Sequence, residues 1–145
     1  MASETTLILF KPDAIKKDLV GTVLARFLEE GFKIRGIKML SATEELLNEH
    51  YSHIADLPFF PSVLAFMQET PIISLALTGE NVIDRVRELL GPTDSTKAAP
   101  GTIRGDFGFK DADSKMRNVC HASDSAGSAQ AELTRFFKDD ELFDS

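Results

Sequence analysis

The chain has 145 residues, a formal net charge of −7 and one cysteine, Cys120; one domain spanning residues 1–145 is expected, large enough to bury a core without staples. The acidity argues against nonspecific DNA or RNA binding through phosphate contacts, and the lone cysteine excludes an internal disulfide. No signal-like N-terminus is visible and no apolar run approaches the roughly 20 residues that cross a bilayer, so the expected location is the cytoplasm.

The apolar run 6–10 reads as a buried strand closed by a turn at Lys11-Pro12-Asp13. Val20, Val23, Leu24, Phe27 and Leu28 then recur at helical spacing, with Gly31 placed to end the helix. A second strand is expected over 32–39, and Thr43 followed by Glu44 and Glu45 predicts a capped helix running toward Tyr51. His50 and His53 fall on that predicted polar helix among charged neighbours and read as structural rather than catalytic residues. Phe60, Val63, Leu64 and Met67 mark a further helix, Pro71 ends it, and 72–77 is a third strand. Val82, Ile83, Val86, Leu89 and Leu90 form another helical stripe that stops at Gly91-Pro92. Residues 91–108 have little apolar periodicity and read as a long loop, functional or disordered. A last strand near Val119-Cys120 leads through Asp124-Ser125, a helix cap, to a helix with Ala129, Leu133, Phe136 and Phe137 facing inward. This order predicts an α+β ferredoxin-like sandwich (βαββαβ), a four-stranded antiparallel sheet with helices packed around it.

The densest polar cluster is Asn118-Val-Cys-His121-Ala-Ser123-Asp124-Ser125. A lone histidine is more often structural than reactive, but His121 stands at a strand-to-helix junction where free N–H groups and the helix dipole favour an anion. Asp106-Phe107-Gly108 matches a kinase magnesium triplet only by chance, because no catalytic loop or glycine-rich nucleotide loop accompanies it. No Walker motif or G-x-G-x-x-G is present, so a phosphate site here is not of the P-loop kind.

Asn118-x-x-His121-x-Ser123-Asp124-Ser125 resembles the signature of the nucleoside diphosphate kinases. Lys11-Pro12-Asp13, Tyr51 with Pro58-Phe59-Phe60, Arg87 before Leu90-Gly91-x-Thr93, and the stretch 100–107 match the same family in order, over nearly the whole chain. The resemblance implies that His121 takes the γ-phosphoryl group of a nucleoside triphosphate on its pros nitrogen and hands it to a diphosphate in a ping-pong reaction, with ATP the chief donor. It implies that Lys11, Arg87 and Arg104 hold phosphates, the electrostatic clamp a loose phosphoryl-transfer transition state needs. Thr93 would donate to the same phosphates, Asn118 and Lys11 would bind the sugar hydroxyls, and Tyr51 would lie near the γ-phosphate. Phe59 would stack on the base, an interaction tolerant of any base. Glu132, supported by Ser123, would orient His121. Mg2+ would enter with the nucleotide, since no dedicated set of protein metal ligands is present.

Against the family pattern, 109–116 is a few residues longer, Asp94-Ser95-Thr96 stands where many members carry Asn-Pro, and the chain ends soon after its last helix. A homo-oligomer, hexamer or tetramer built on a shared dimer, is expected, with no membrane partner. Two other readings compete: an RNA-binding sheet, disfavoured by aliphatic strands and acidic charge, and a histidine-dependent phosphatase or nucleotide-binding regulator of the same fold.

Overall fold

The structure, a computed structural model, describes residues 3–110 and 116–143. At its centre is β1 (Ser3–Phe10), whose Leu7, Ile8, Leu9 and Phe10 are fully buried because both faces of the strand are covered. It pairs antiparallel with β3 (Ile72–Glu80), from Ser3↔Glu80 to Phe10↔Ile73, and on its other side with the short β6 (Cys120–Ala122). β2 (Lys33–Leu40) pairs antiparallel with the far side of β3, giving the order β2-β3-β1-β6. The expected four-stranded antiparallel sheet is therefore present, with the expected strand connectivity.

Two helices, α2 (Val20–Glu29) and α5 (Val82–Leu90), cover one face, where Val23, Phe27, Val86 and Leu90 join Ile8, Phe10, Leu75 and Leu77. The other face packs against α3 (Glu44–His50), α4 (Phe60–Met67) and α7 (Ala126–Phe136), which contribute Leu47, Met67 and Phe136. Thr43 caps α3 as expected, its Oγ1 accepting from Leu46 N at 3.1 Å.

Three local readings change. Lys11-Pro12-Asp13 is not a simple turn but opens a short helix, α1 (Pro12–Lys16), because proline at the first helical position has no N–H to lose and a preset φ. Residues 91–108 are not structureless: they hold a 3₁₀ turn at Ser95–Lys97 and a helix, α6 (Ile103–Phe107), capped by Thr102 and pinned by buried Ile103. Pieces of three and five residues are too short to leave a helical period in the sequence. A two-stranded ladder, β4 (Phe109–Lys110) with β5 (Met116–Arg117), adds to the expected elements. The extra length read in 109–116 falls at 111–115, outside the described residues.

β2 is an edge strand with a register shift between Ile34 and Gly36, and it leaves Ile37 47% and Met39 58% exposed. Among the described residues no helix is long and apolar enough to cross a membrane.

Candidate functional site

The site is organised by a kink between β5 and β6. Val119 has φ 73°, a left-handed conformation that a β-branched residue adopts only when its surroundings force it. The forcing groups come from the end of β1 and the start of α1. Asp13, buried, accepts from Val119 N at 2.8 Å through Oδ2, and Lys11 N donates to Val119 O at 3.1 Å. The sequence contains no local signal for this, since the partners are 106 residues apart.

The residues flanking the kink, Asn118 and His121, line one cavity of about 280 Å³ together with Lys11, Tyr51, Arg87, Thr93 and Arg104. Seven of the ten predicted site residues thus converge from the end of β1, the C-terminus of α3, α5, the loop after it, α6 and β6. Lys11 Nζ donates to Asn118 Oδ1, and Asn118 Nδ2 donates to Thr93 O at 3.1 Å. Burial lowers the Lys11 pKa, opposed by the nearby Asp13 carboxylate. Arg104 donates from Nε to Asn118 O (3.2 Å), from Nη1 to Gly91 O (2.9 Å) and from Nη2 to Cys120 O (2.7 Å). Three of its five donors therefore tie the 91 loop to the kink, and two remain for a ligand. Tyr51 is held above its ordinary range, at about 12, by burial and by Glu132, so its phenol stays a donor. Burial likewise pushes the Cys120 thiol up to about 12, which leaves it unreactive. Among the described lining residues Asp124 is the single carboxylate.

Behind His121 the surroundings are different. Its Nε2 lies 3.1 Å from Glu132 Oε1, which also accepts from Ser123 Oγ at 2.6 Å; Ser123 Oγ in turn accepts from Leu7 N at 3.2 Å. Burial pulls the Glu132 pKa upward, but the hydrogen bonds from His121 and Ser123 and the His121 charge outweigh it and hold the pKa below 4.5. An ionised carboxylate requires a donor, so the hydrogen of neutral His121 is assigned to Nε2 and the Nδ1 lone pair is free.

His50, read from the sequence as structural rather than catalytic, lies closer to the site than that reading supposed. The residue is 7% exposed and its ring meets His121 edge to face, centroids 4.8 Å apart and planes at 86°. The missed signal is the three-residue spacing from Leu47, which sets His50 on the inward stripe of α3. Burial, then the neighbouring His121 and Arg135 charges, lower its pKa from 6.5 to about 3, against the opposing Glu132. All three histidines of the chain, with Glu132 and Arg135, border a second cavity of about 430 Å³. His50, His121 and Glu132 are near enough to share an ion, their ligand atoms lying within 4.8 Å. The hydrogen bonds Arg135 Nη1 to His50 Nδ1 (3.0 Å) and His121 to Glu132 compete with coordination there.

Phe59 does not join the cavities: it is 52% exposed at the start of α4. A third cavity of about 310 Å³ shares Lys11 and Tyr51 with the first and continues toward Phe66 and Arg117, whose guanidinium lies 3.8 Å from the Phe66 ring centre. Sequence reasoning singled out neither of those two residues.

A family model described as nucleoside diphosphate kinase matches residues 4–142. A nucleoside diphosphate kinase from Staphylothermus marinus is 46% identical over 144 residues, 99% of each chain. Among solved structures, the Halobacterium salinarum nucleoside diphosphate kinase in complex with CDP is 37% identical with a TM-score of 0.92, covering 99% of this chain and 93% of that one. The Borrelia burgdorferi enzyme, a transition-state mimic with bound vanadate and ADP, is 32% identical with a TM-score of 0.90, covering 99% and 92%.

Proposed function

The chain belongs to the nucleoside diphosphate kinase family, and from that premise we propose that His121 is the residue on which the phosphoryl group travels between nucleotides. The protein is a phosphotransferase that moves the γ-phosphoryl group of a nucleoside triphosphate to a nucleoside diphosphate. The observation that carries the assignment of His121 is its pairing: Nε2 faces the Glu132 carboxylate at 3.1 Å, while the ring borders the cavity that holds Lys11, Arg87 and Arg104.

In the first half-reaction the Nδ1 lone pair bonds the γ-phosphorus as the bond to the β-bridging oxygen breaks, and the diphosphate leaves with that electron pair. The ring becomes cationic while it carries phosphorus, and the Glu132 carboxylate, itself fixed by Ser123, offsets that charge through Nε2–H. A second diphosphate then attacks the phosphorus and restores the neutral ring. Lys11, Arg87 and Arg104 hold the phosphates, Thr93 and the protonated Tyr51 donate to them, Asn118 with Lys11 positions the sugar, and the exposed Phe59 stacks on the base.

Enzymes of this family need a divalent cation, which we take to be Mg2+. The lining residues fit an ion that arrives on the nucleotide: they are mostly cations, hydroxyls and a carboxamide, with Asp124 alone as a carboxylate. When bound it would neutralise phosphate charge during transfer.

The 145 residues form one such domain, ATP is the chief donor, and the working compartment is the cytoplasm. The chain assembles with copies of itself through β2, the outer strand of the sheet, where Ile34, Ile37 and Met39 leave an exposed apolar strip. Such an edge is a liability unless it is covered, and a hexamer or tetramer built on that dimer covers it.

Incubation with γ-labelled ATP tests the assignment. Label is expected on the protein and to move to added GDP; His121→Ala is expected to take up none while still binding nucleotide. Release of free phosphate with no transfer to GDP would favour a phosphatase, and labelled His121→Ala would move the nucleophile elsewhere.

A further inference from the structure

The final helix reaches the site with two side chains one turn apart. Glu132 meets His121, and Arg135, three residues on and on the same face of α7, donates from Nη1 to His50 Nδ1 at 3.0 Å. Arg135 Nε also lies 3.5 Å from Glu49 Oε1, an ion-pair distance. His50 is thereby held from both sides: by Arg135 at one ring nitrogen, and by Phe136, whose ring stands at 82° to it with centroids 5.1 Å apart. The His50 ring also meets Tyr51 edge to face, centroids 4.8 Å apart, and stands perpendicular to His121.

We propose that His50, held by Arg135, is a positioning residue that keeps the His121 ring in the orientation presenting Nδ1 to the nucleotide. The proposal rests on His121 being the phosphoryl carrier. The Glu132 hydrogen bond fixes one corner of the His121 ring but leaves the plane free to turn, because the terminal torsion of a histidine is broad and roughly two-fold. A half-turn exchanges Nδ1 with Cδ2 and Nε2 with Cε1. That orientation offers the nucleotide a carbon where the nucleophile belongs, and it brings Nε2 off Glu132 toward the cleft. A ring standing perpendicular at 4.8 Å obstructs the turn. Arg135 makes that wall rigid, and by donating to Nδ1 it sets the His50 hydrogen on Nε2. Because burial keeps His50 neutral down to about pH 3, the wall adds no positive charge beside a ring that must itself become cationic.

The test combines rate and regiochemistry. Wild type, His50→Ala, His50→Phe and Arg135→Met are mixed with ATP and Mg2+, the rate of phosphoenzyme formation is followed against ATP concentration, and the product is quenched in alkali to separate phosphohistidine isomers. Expected for His50→Ala is a maximal rate lower by about 10- to 100-fold, the range for loss of a residue that orients another, with half-saturation by ATP changed less than about 3-fold and the Nε2 isomer now present. His50→Phe keeps the wall and is expected to stay within a few-fold of wild type with the Nδ1 isomer alone. Arg135→Met is expected to fall between the two. Wild-type rate with only the Nδ1 isomer in His50→Ala overturns the proposal even if that variant melts earlier. If His50→Ala does not fold, the same result in Arg135→Met overturns it. A wild-type enzyme that forms no phosphohistidine, or forms it on another residue, would instead sink the assignment of His121.

Discussion

The two edges of the sheet differ in length, polarity and what covers them. At one, β6 is three residues long, pairs among the described residues only with β1, and presents His121 to a polar cavity whose lining comes from six segments of the chain. At the other, β2 is eight residues long, carries no member of the site, and leaves Ile34, Ile37 and Met39 exposed on the α2 side. Its opposite face is occupied by the C-terminal segment, where a Cβ at Gly36 would come 2.8 Å from Glu141 O and 3.1 Å from Leu142 Cδ2. Phe143 N donates to Arg35 O at 2.8 Å across the register shift, and Lys38 pairs with Glu141 at 2.8 Å. The chemical edge is polar, strained at Val119 and dependent on pairings between ionisable groups. The β2 edge is apolar, and the self-assembly proposed for it depends on buried area. A sheet with two chemically different edges can carry a reaction at one and a protein contact at the other without either constraining its neighbour.

That contrast can be broken most severely at the β6 edge. Glu132→Ala removes the acceptor from His121 Nε2 and from Ser123 Oγ together, and turnover is expected to fall by about 10- to 100-fold with little change in nucleotide KM. An equal rise in KM with turnover preserved would show that Glu132 acts on binding rather than on the ring.

A smaller effect separates the edges by pH. The folded-state pKa of His50 is depressed from 6.5 to about 3, so the unfolded chain binds the extra proton first. Stability from this residue is fully present above about pH 6.5 and is lost as pH falls toward 3, at about 1.4 kcal/mol per pH unit. Between pH 7 and 5 the wild type is expected to lose about 2 kcal/mol more than His50→Phe in urea unfolding. Equal losses would mean that His50 does not stay neutral in the folded protein. The least effect on chemistry is expected from Ile37→Glu combined with Met39→Glu. Light scattering should show a smaller assembly, while the phosphoenzyme forms within about 3-fold of the wild-type rate, because those exposed positions lie outside every site cavity. An unchanged particle mass would place the contact between copies elsewhere.

Most of the fold was legible from local pattern. The stripes from Val20 to Leu28 and from Val82 to Leu90, the cap at Thr43 and the apolar run 6–10 report short-range geometry, and helices and strands have those periods wherever they lie. The 3₁₀ turn and α6 escaped because three to five residues do not complete a period, and Pro12 was read as a terminator although proline also begins helices. The site residues Lys11, Arg87, Thr93, Arg104, Asn118 and His121 were found by resemblance, not by periodicity, and their meeting around one cavity could not be derived from spacing.

By itself the amino-acid sequence determined the α+β order, the central burial of β1, the family and the identity of nearly every polar group around His121. Tertiary structure alone decided that Asp13 holds Val119 in a left-handed conformation, that Arg104 spends three donors on carbonyl oxygens, and that the His50 ring stands perpendicular to that of His121. The physical reason is range. Propensity and periodicity act within a few residues, whereas the bonds from Asp13 to Val119, Leu7 to Ser123 and Arg135 to His50 span 106, 116 and 85 positions, and exist only once the two faces of the sheet have been packed.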